Sequence, residues 1–121
     1  MLQRGLRVNR GRALVMGLTF KENCPDLRNT RVTDIIDELK SYGMQVDVWD
    51  PWVNGPDAER EYGITPIFQP ESGAYNAIVL AVGHRQFVDL GVDKIREFGA
   101  ADAILFDVKY LFPASATDGR L

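Results

Sequence analysis

Strand-length apolar segments alternate with helical segments along the chain, and this alternation predicts an α/β fold. The clearest strands are predicted at residues 12–18, 44–50, 77–83 and 103–108, and the apolar runs at 12–18 and 77–83 are typical of buried strands. An amphipathic segment separates the first two, which makes a βαβ unit with a right-handed crossover. We therefore predict a single Rossmann-like, doubly wound domain with a mostly parallel sheet of five or six strands, in the order 3-2-1-4-5.

The first helix is predicted from Thr30 to Tyr42, because apolar residues recur there at helical spacing. Asn29 or Thr30 can cap its start, and Gly43 can end it in the left-handed conformation. The apolar face consists of Val32, Ile35, Ile36 and Leu39.

The later elements follow the same alternation. Pro56 can open a short helix that Gly63 ends. Residues 64–68 form a weak strand, which its proline places at an edge of the sheet. A helical stretch is predicted over residues 84–98, broken at Gly91.

Composition and charge exclude several classes of function. The net charge is −3, and the sequence contains no long block of like charges. Both observations argue against a nucleic-acid partner. The longest apolar runs are about one strand long, so we expect no membrane segment. One cysteine and one histidine provide neither an internal disulfide nor a metal site, which favours a cytoplasmic location.

Four arginines and no acidic residue occupy the first 12 positions. They are consistent with the end of a helix, where cations are favourable, or with an anion-binding arm. The arginines are Arg4, Arg7, Arg10 and Arg12.

A ligand of such a fold binds beyond the carboxyl ends of the strands, near the point where the strand order reverses. The dinucleotide fingerprint G-x-G-x-x-G is absent after Gly17, and so is the phosphate-binding loop G-x-x-x-x-G-K-[ST]. Side chains would therefore have to hold an anion in this region. The candidates are Lys21, Arg28, Arg31 and Lys109.

Several residues near the strand ends allow two interpretations each. Asp50 is either a ribose-binding acid or part of an Asp-Pro turn. His84 is a general base, a helix cap or a structural residue, and Cys24 is a nucleophile only if a base lies beside it. Trp49 falls inside a strand, which favours the core, whereas Trp52 stands in a turn and can cover a sheet edge or stack on a base.

The stretch GLTFKENCPDLRNTRV (17–32) resembles a signature of the C-terminal, UDP-sugar-binding domain of the UDP-glucose/GDP-mannose dehydrogenase family. AVGHRQF (81–87), FDVKYLFP (106–113) and DGRL (118–121) match later landmarks of that domain. The resemblance covers residues 5–121 and is strongest to bacterial enzymes that oxidise UDP-N-acetylhexosamines at C6 for polysaccharide biosynthesis.

The resemblance implies that residues 1–10 end a central connecting helix and that residues 11–121 form the UDP-sugar-binding domain. It implies a homo-oligomeric enzyme that binds NAD mainly through a domain absent from this chain. The catalytic cysteine of the family also lies elsewhere, so Cys24 is expected to be a loop residue, and this fragment alone is expected to be inactive.

Site residues carry over by position. Phe20 and Lys21 match a pair that lies against the nucleotide sugar, and Arg28 matches an arginine that reaches toward the NAD pyrophosphate. Lys109 stands where relatives carry an arginine or lysine that contacts the UDP-sugar; many of them read D-x-R where this chain reads D-V-K.

Three alternatives stay open from the sequence. One is the same domain of a UDP-glucose or GDP-mannose dehydrogenase. Another is a free-standing nucleotide-binding regulatory module, and the third is an assembly role in which the domain packs across a dimer. A receiver-like module would need acidic residues after its first strand, and a CoA-binding module would need a glycine-rich loop; Thr19, Phe20 and Lys21 stand there instead.

Overall fold

A computed structural model describes residues 11–19 and 30–108, together with Phe112 and Thr117. The elements in chain order are β1 (Arg12–Met16), α1 (Val32–Ser41), β2 (Gln45–Trp49), α2 (Gly55–Tyr62), β3 (Tyr75–Leu80), α3 (Arg85–Leu90), α4 (Val92–Arg96) and β4 (Gly99–Asp107).

The four described strands form one sheet in the order β2-β1-β3-β4, and every neighbouring pair is parallel. The chain first moves outward from β1 to β2 and then returns to place β3 on the other side of β1. The strand order therefore reverses between β1 and β3, as in other doubly wound sheets. This confirms the predicted fold class and the predicted order of these four strands.

The sheet is buried on both faces, which explains why its central strands are apolar throughout. Residues 13–16 of β1 are completely buried. One face packs against α1 and α2 through residues such as Ile36 and Ala58, and the other packs against α3 and α4. Trp49 belongs to this second layer, with its ring 5.3 Å from that of Phe87, so the core interpretation of Trp49 is confirmed.

The edge strand predicted at residues 64–68 is wrong, because no strand forms there. The segment does run beside β2, and the Ile67 N–H donates to the Val48 carbonyl at 2.8 Å. Pro66 has no N–H to donate, so this segment cannot offer the regular ladder of donors that a strand needs. Within the described residues, β2 therefore ends the sheet on this side.

Strand β4 begins at Gly99, four residues earlier than predicted. Tyr75 pairs with Gly99 and Ala77 pairs with Ile104, so the register between β3 and β4 shifts over residues 100–103. The predicted cap of α1 at Asn29 or Thr30 is wrong, because Arg31 stands at the N-cap position and makes no side-chain cap hydrogen bond. The carboxyl ends of the helices follow the sequence more closely. Gly43 and Gly63 have positive φ after α1 and α2, and Gly91 separates α3 from α4 as predicted.

Candidate functional site

The chain leaves β1 through Gly17, which lies against the end of β3. Its φ is +105°, and a Cβ atom here would stand 2.5 Å from the Cβ of Val82. The Gly17 N–H donates to the Trp49 carbonyl at 2.8 Å, which ties this turn to the end of β2. Glycine is therefore needed both for the backbone conformation and for the close approach of the strand ends.

Asp50 joins the ends of three strands through one buried carboxylate. Its Oδ2 accepts hydrogen bonds from the Leu18 N–H at 2.7 Å and the Thr19 N–H at 3.0 Å. Its Oδ1 accepts from the Trp52 N–H at 2.7 Å. His84, just before α3, reaches the same Oδ2 at 2.9 Å. The carboxylate points inward, so the ribose-binding interpretation is wrong and the turn interpretation holds.

His84 is completely buried, and its Nε2 lies between two oxygens. The Asp50 Oδ2 is 2.9 Å away and the Thr19 Oγ1 is 3.1 Å away. An ionised carboxylate can only accept, so Nε2 must carry a proton and donate it to Asp50. The side chain makes no capping hydrogen bond to α3, which excludes the helix-cap interpretation. A buried, internally bonded imidazole has a structural role rather than that of a base facing substrate.

Two opposing effects act on the pKa of Asp50. Burial raises it, whereas hydrogen bonds from His84 and from the Leu18 and Thr19 N–H groups lower it. The hydrogen bonds prevail, so the pKa lies below the ordinary value of 3.8 and the carboxylate is ionised at neutral pH.

This lowered pKa predicts a pH-dependent stability. A depressed folded-state pKa stabilises the fold above the unfolded value of 3.8, and this contribution is lost as the pH falls through the lower folded value. We expect urea denaturation to show a difference in free energy of unfolding between wild type and Asp50→Asn that shrinks from pH 7 to pH 3. The matched control is Asp37→Asn, which removes an exposed carboxylate of α1. A difference that stays constant over this range would contradict the prediction.

A second buried carboxylate stands at the end of β4. The Oδ2 of Asp107 accepts from the Phe112 N–H at 2.8 Å. The Val108 N–H donates to the Leu80 carbonyl at 3.1 Å, which fixes the chain as it leaves the strand. The segment that contains Lys109 therefore begins and ends at backbone groups held by the sheet.

The rim above β1 is formed by Trp52 and the start of α3. The Trp52 Nε1 donates to the Gln86 Oε1 at 2.9 Å, which links the turn after β2 to the helix after β3. The guanidinium of Arg85 lies 5.8 Å from the centre of the Trp52 ring. The pairing of Trp52 with Gln86 was not predicted, although the HRQ triplet directly after a buried strand could have suggested it.

The predicted ligand-contacting residues lie outside the described residues. These are Phe20, Lys21, Arg28 and Lys109, and Cys24 lies outside them as well. The structure describes the chain on either side of these residues. Thr19 is held at the carboxyl edge by Asp50, and the hydroxyl of Thr30 donates to the Leu18 carbonyl at 2.6 Å. Arg31 is exposed just before α1.

The described arrangement supports binding loops more readily than a reaction centre. Its buried titratable groups at the strand ends are engaged in internal hydrogen bonds. No group of three His, Cys, Asp or Glu residues that could hold a metal occurs in the described ranges. The described helices also include none with the length and apolarity to cross a membrane.

Comparisons with known proteins identify a family for this chain. Residues 14–114 match the UDP binding domain of the UDP-glucose/GDP-mannose dehydrogenase family. The whole chain is 54% identical to a UDP-N-acetyl-D-glucosamine 6-dehydrogenase of Pseudomonas aeruginosa, covering 29% of it. It is 47% identical to the enzyme of that name from Salmonella typhi, again over the whole chain and 28% of the relative. The chain thus spans less than a third of these relatives.

Solved structures show the same fold. An NDP-N-acetyl-D-galactosaminuronic acid dehydrogenase from Methanosarcina mazei Go1 superposes with a TM-score of 0.78 at 20% identity, over 99% of this chain and 26% of that one. At that identity the superposition supports the fold alone, whereas the match to the family extends over most of the sequence. The chain belongs to the UDP-glucose/GDP-mannose dehydrogenase family, as its UDP binding domain.

Proposed function

We propose that this chain binds the UDP portion of the substrate in an NAD-dependent UDP-N-acetylhexosamine 6-dehydrogenase. The proposal rests on two hydrogen bonds at the carboxyl edge of the sheet. Asp50 accepts from the Thr19 N–H, where the loop after β1 begins, and Asp107 accepts from the Phe112 N–H, just after the segment that contains Lys109. We call these two positions the loop roots. The carboxyl edge is the one at which doubly wound folds bind nucleotides. The relatives named above support the N-acetylated substrate over UDP-glucose or GDP-mannose.

The spacing of the strands suits a nucleoside diphosphate. β1 and β4 are separated by β3, so the loops that follow them start about 10 Å apart. In this proposal Lys21 provides a point charge to the phosphate or sugar oxygens from one loop, and Lys109 provides a second from the other. Phe20 lies against the nucleotide sugar. The domain thus holds an anion with side chains, which explains how it binds without a glycine-rich loop.

In this proposal NAD contacts this domain only at its edge. The sequence has no G-x-G-x-x-G fingerprint after β1, and the described residues Thr19, Asp50 and His84 at these strand ends bind one another. We therefore assign the main NAD site to a part of the enzyme outside this chain and retain Arg28 as a contact to the NAD pyrophosphate. When bound, NAD⁺ supplies the hydride acceptor for the oxidation at C6.

The remaining partners are also proposals. The relatives are more than three times as long as this chain, which supports further domains of the same enzyme as its immediate neighbours. We propose a homo-oligomeric, cytoplasmic enzyme that supplies uronic-acid sugars for polysaccharide biosynthesis.

An activity assay of the complete gene product tests this proposal. We expect NAD⁺ reduction with UDP-N-acetylglucosamine or UDP-N-acetylgalactosamine that exceeds the rate with UDP-glucose and GDP-mannose. The 121-residue chain alone should reduce no NAD⁺, because the catalytic cysteine is expected in another part of the enzyme. A preference for GDP-mannose, or activity of the isolated chain, would contradict the proposal.

A further inference from the structure

We propose that Asp50 and Asp107 are positioning residues whose buried carboxylates fix the roots of the two UDP-binding loops, so that UDP affinity depends on side chains that never contact the ligand. The inference rests on the proposed function for the identity of the ligand. The anchoring itself rests only on described contacts.

The contacts of Asp50 determine how the chain enters the first loop. Its Oδ2 accepts from two consecutive backbone N–H groups, those of Leu18 and Thr19. Two donors aimed at one oxygen fix the orientation of the peptide planes on both sides of residue 18. Lys21 follows only two residues later, within about 7 Å along an extended chain. Asp50 therefore sets the direction in which the chain runs toward Lys21, and with it the region that the Lys21 ammonium group can reach.

Asp107 anchors the second loop in a different way. It accepts from the N–H of Phe112, five residues further along the chain, while the Val108 N–H is bound to Leu80 at the end of β3. The backbone is thus held at Val108 and at Phe112, the described residues on either side of Lys109. In this proposal the two contacts set where the second loop leaves the sheet and where it returns.

Charge argues against direct contact of either carboxylate with the ligand. A diphosphate is anionic, and a carboxylate facing it would be repelled. Both side chains are instead buried, Asp50 at 6% and Asp107 at 0% exposure, and both accept from backbone N–H groups. Each carboxylate thus faces the backbone N–H groups that it accepts from.

The test uses the complete enzyme with Asp50→Asn and Asp107→Asn, and Asp37→Asn as the matched exposed control. An amide has one acceptor oxygen where Asp50 uses two, and in both variants the charge that strengthens the N–H···O⁻ bonds is lost, so the loop is held less firmly without a change in side-chain size. We expect the KM for the UDP-sugar to rise at least tenfold, with kcat and the KM for NAD⁺ changed less than threefold. The control should match wild type in all three constants.

Amide hydrogen exchange separates positioning from general destabilisation. In Asp50→Asn, exchange should accelerate more at Leu18 and Thr19 than at Leu14 in the middle of β1, where only the loss in the free energy of unfolding acts. In Asp107→Asn it should accelerate at Phe112. If Asp50→Asn does not fold, Asp50→Glu keeps the charge but shifts it by one methylene group, and the same local acceleration and rise in KM are expected.

Unchanged exchange at these amides, or a KM within threefold of wild type in both variants, would overturn the inference. An acceleration at Leu18 and Thr19 no larger than that at Leu14 would also overturn it, because the carboxylate would then act only through the stability of the whole fold. A wild-type enzyme that oxidises no nucleotide sugar would overturn the proposed function and the ligand named here. The exchange at Leu18, Thr19 and Phe112 would still decide whether the two carboxylates hold the loops.

Discussion

Gly17→Ala should lower the free energy of unfolding by about 3 kcal/mol or more, the largest stability effect expected from a single methyl group in this domain. The φ of +105° is unfavourable for any residue with a Cβ atom. The new atom would also stand 2.5 Å from the Val82 Cβ and 2.9 Å from its backbone nitrogen. That nitrogen donates to the Met16 carbonyl at 3.3 Å, so moving it away would weaken a bond between β1 and the end of β3. Urea denaturation at neutral pH measures the loss.

Gly63→Ala is the matched control for this substitution. Gly63 has a φ of +68°, and nothing lies within 4 Å of the position where its Cβ atom would be. Only the backbone penalty should therefore appear, about 1 kcal/mol. Equal losses in the two variants would show that the close approach of Gly17 to Val82 does not matter for stability.

Lys21→Ala should weaken UDP binding by about 10- to 100-fold, the largest functional effect expected within this chain. A hydrogen bond to a charged group contributes about 1.5–3 kcal/mol, and the diphosphate provides such a partner. Isothermal titration of the complete enzyme with UDP measures the loss. The melting temperature should remain close to that of wild type, because the residue is proposed to contact the ligand and not the core.

Lys40→Ala removes the same charge at the opposite end of the domain. Lys40 is exposed in the last turn of α1, and this crossover helix runs from the carboxyl edge of the sheet toward its amino edge. We expect its UDP affinity to remain within about threefold of wild type, since distant exposed charges are screened by salt. A comparable loss of affinity in both variants would mean that UDP binding depends on the net charge of the domain and not on Lys21 in particular.

Local patterns in the sequence were sufficient for most of the fold. Strand-length segments with apolar or alternating patterns located β1 to β4, and glycines located the ends of α1 and α2. The errors occurred where tertiary contacts decide the outcome. Residues 64–68 contain strand-forming side chains, but Pro66 removes a donor, and one hydrogen bond from Ile67 replaces a ladder. The start of β4 was missed because residues 99–102 lack large apolar side chains. The shifted register over residues 100–103 depends on pairing with β3, which is distant along the chain.

The candidate site was predictable in its location but not in its internal contacts. The sequence placed Asp50 and His84 at strand ends, where doubly wound folds bind ligands. It could not show which way these side chains point, because their partners are distant along the chain. His84 is 34 residues from Asp50 and 65 residues from Thr19. Only the return of β3 beside β1 brings the three together and turns them inward.

The central claim is that UDP binds at the carboxyl edge of this sheet, and a titration followed by backbone amide NMR tests it most directly. UDP added to the 121-residue chain should shift the amides of residues 17–21, 83–85 and 107–110 in a saturable way, even if saturation requires millimolar ligand. The amides of Gln45 and Tyr75, at the amino ends of β2 and β3, should not move. Shifts confined to that opposite edge, or none in either this chain or the complete enzyme, would contradict the claim.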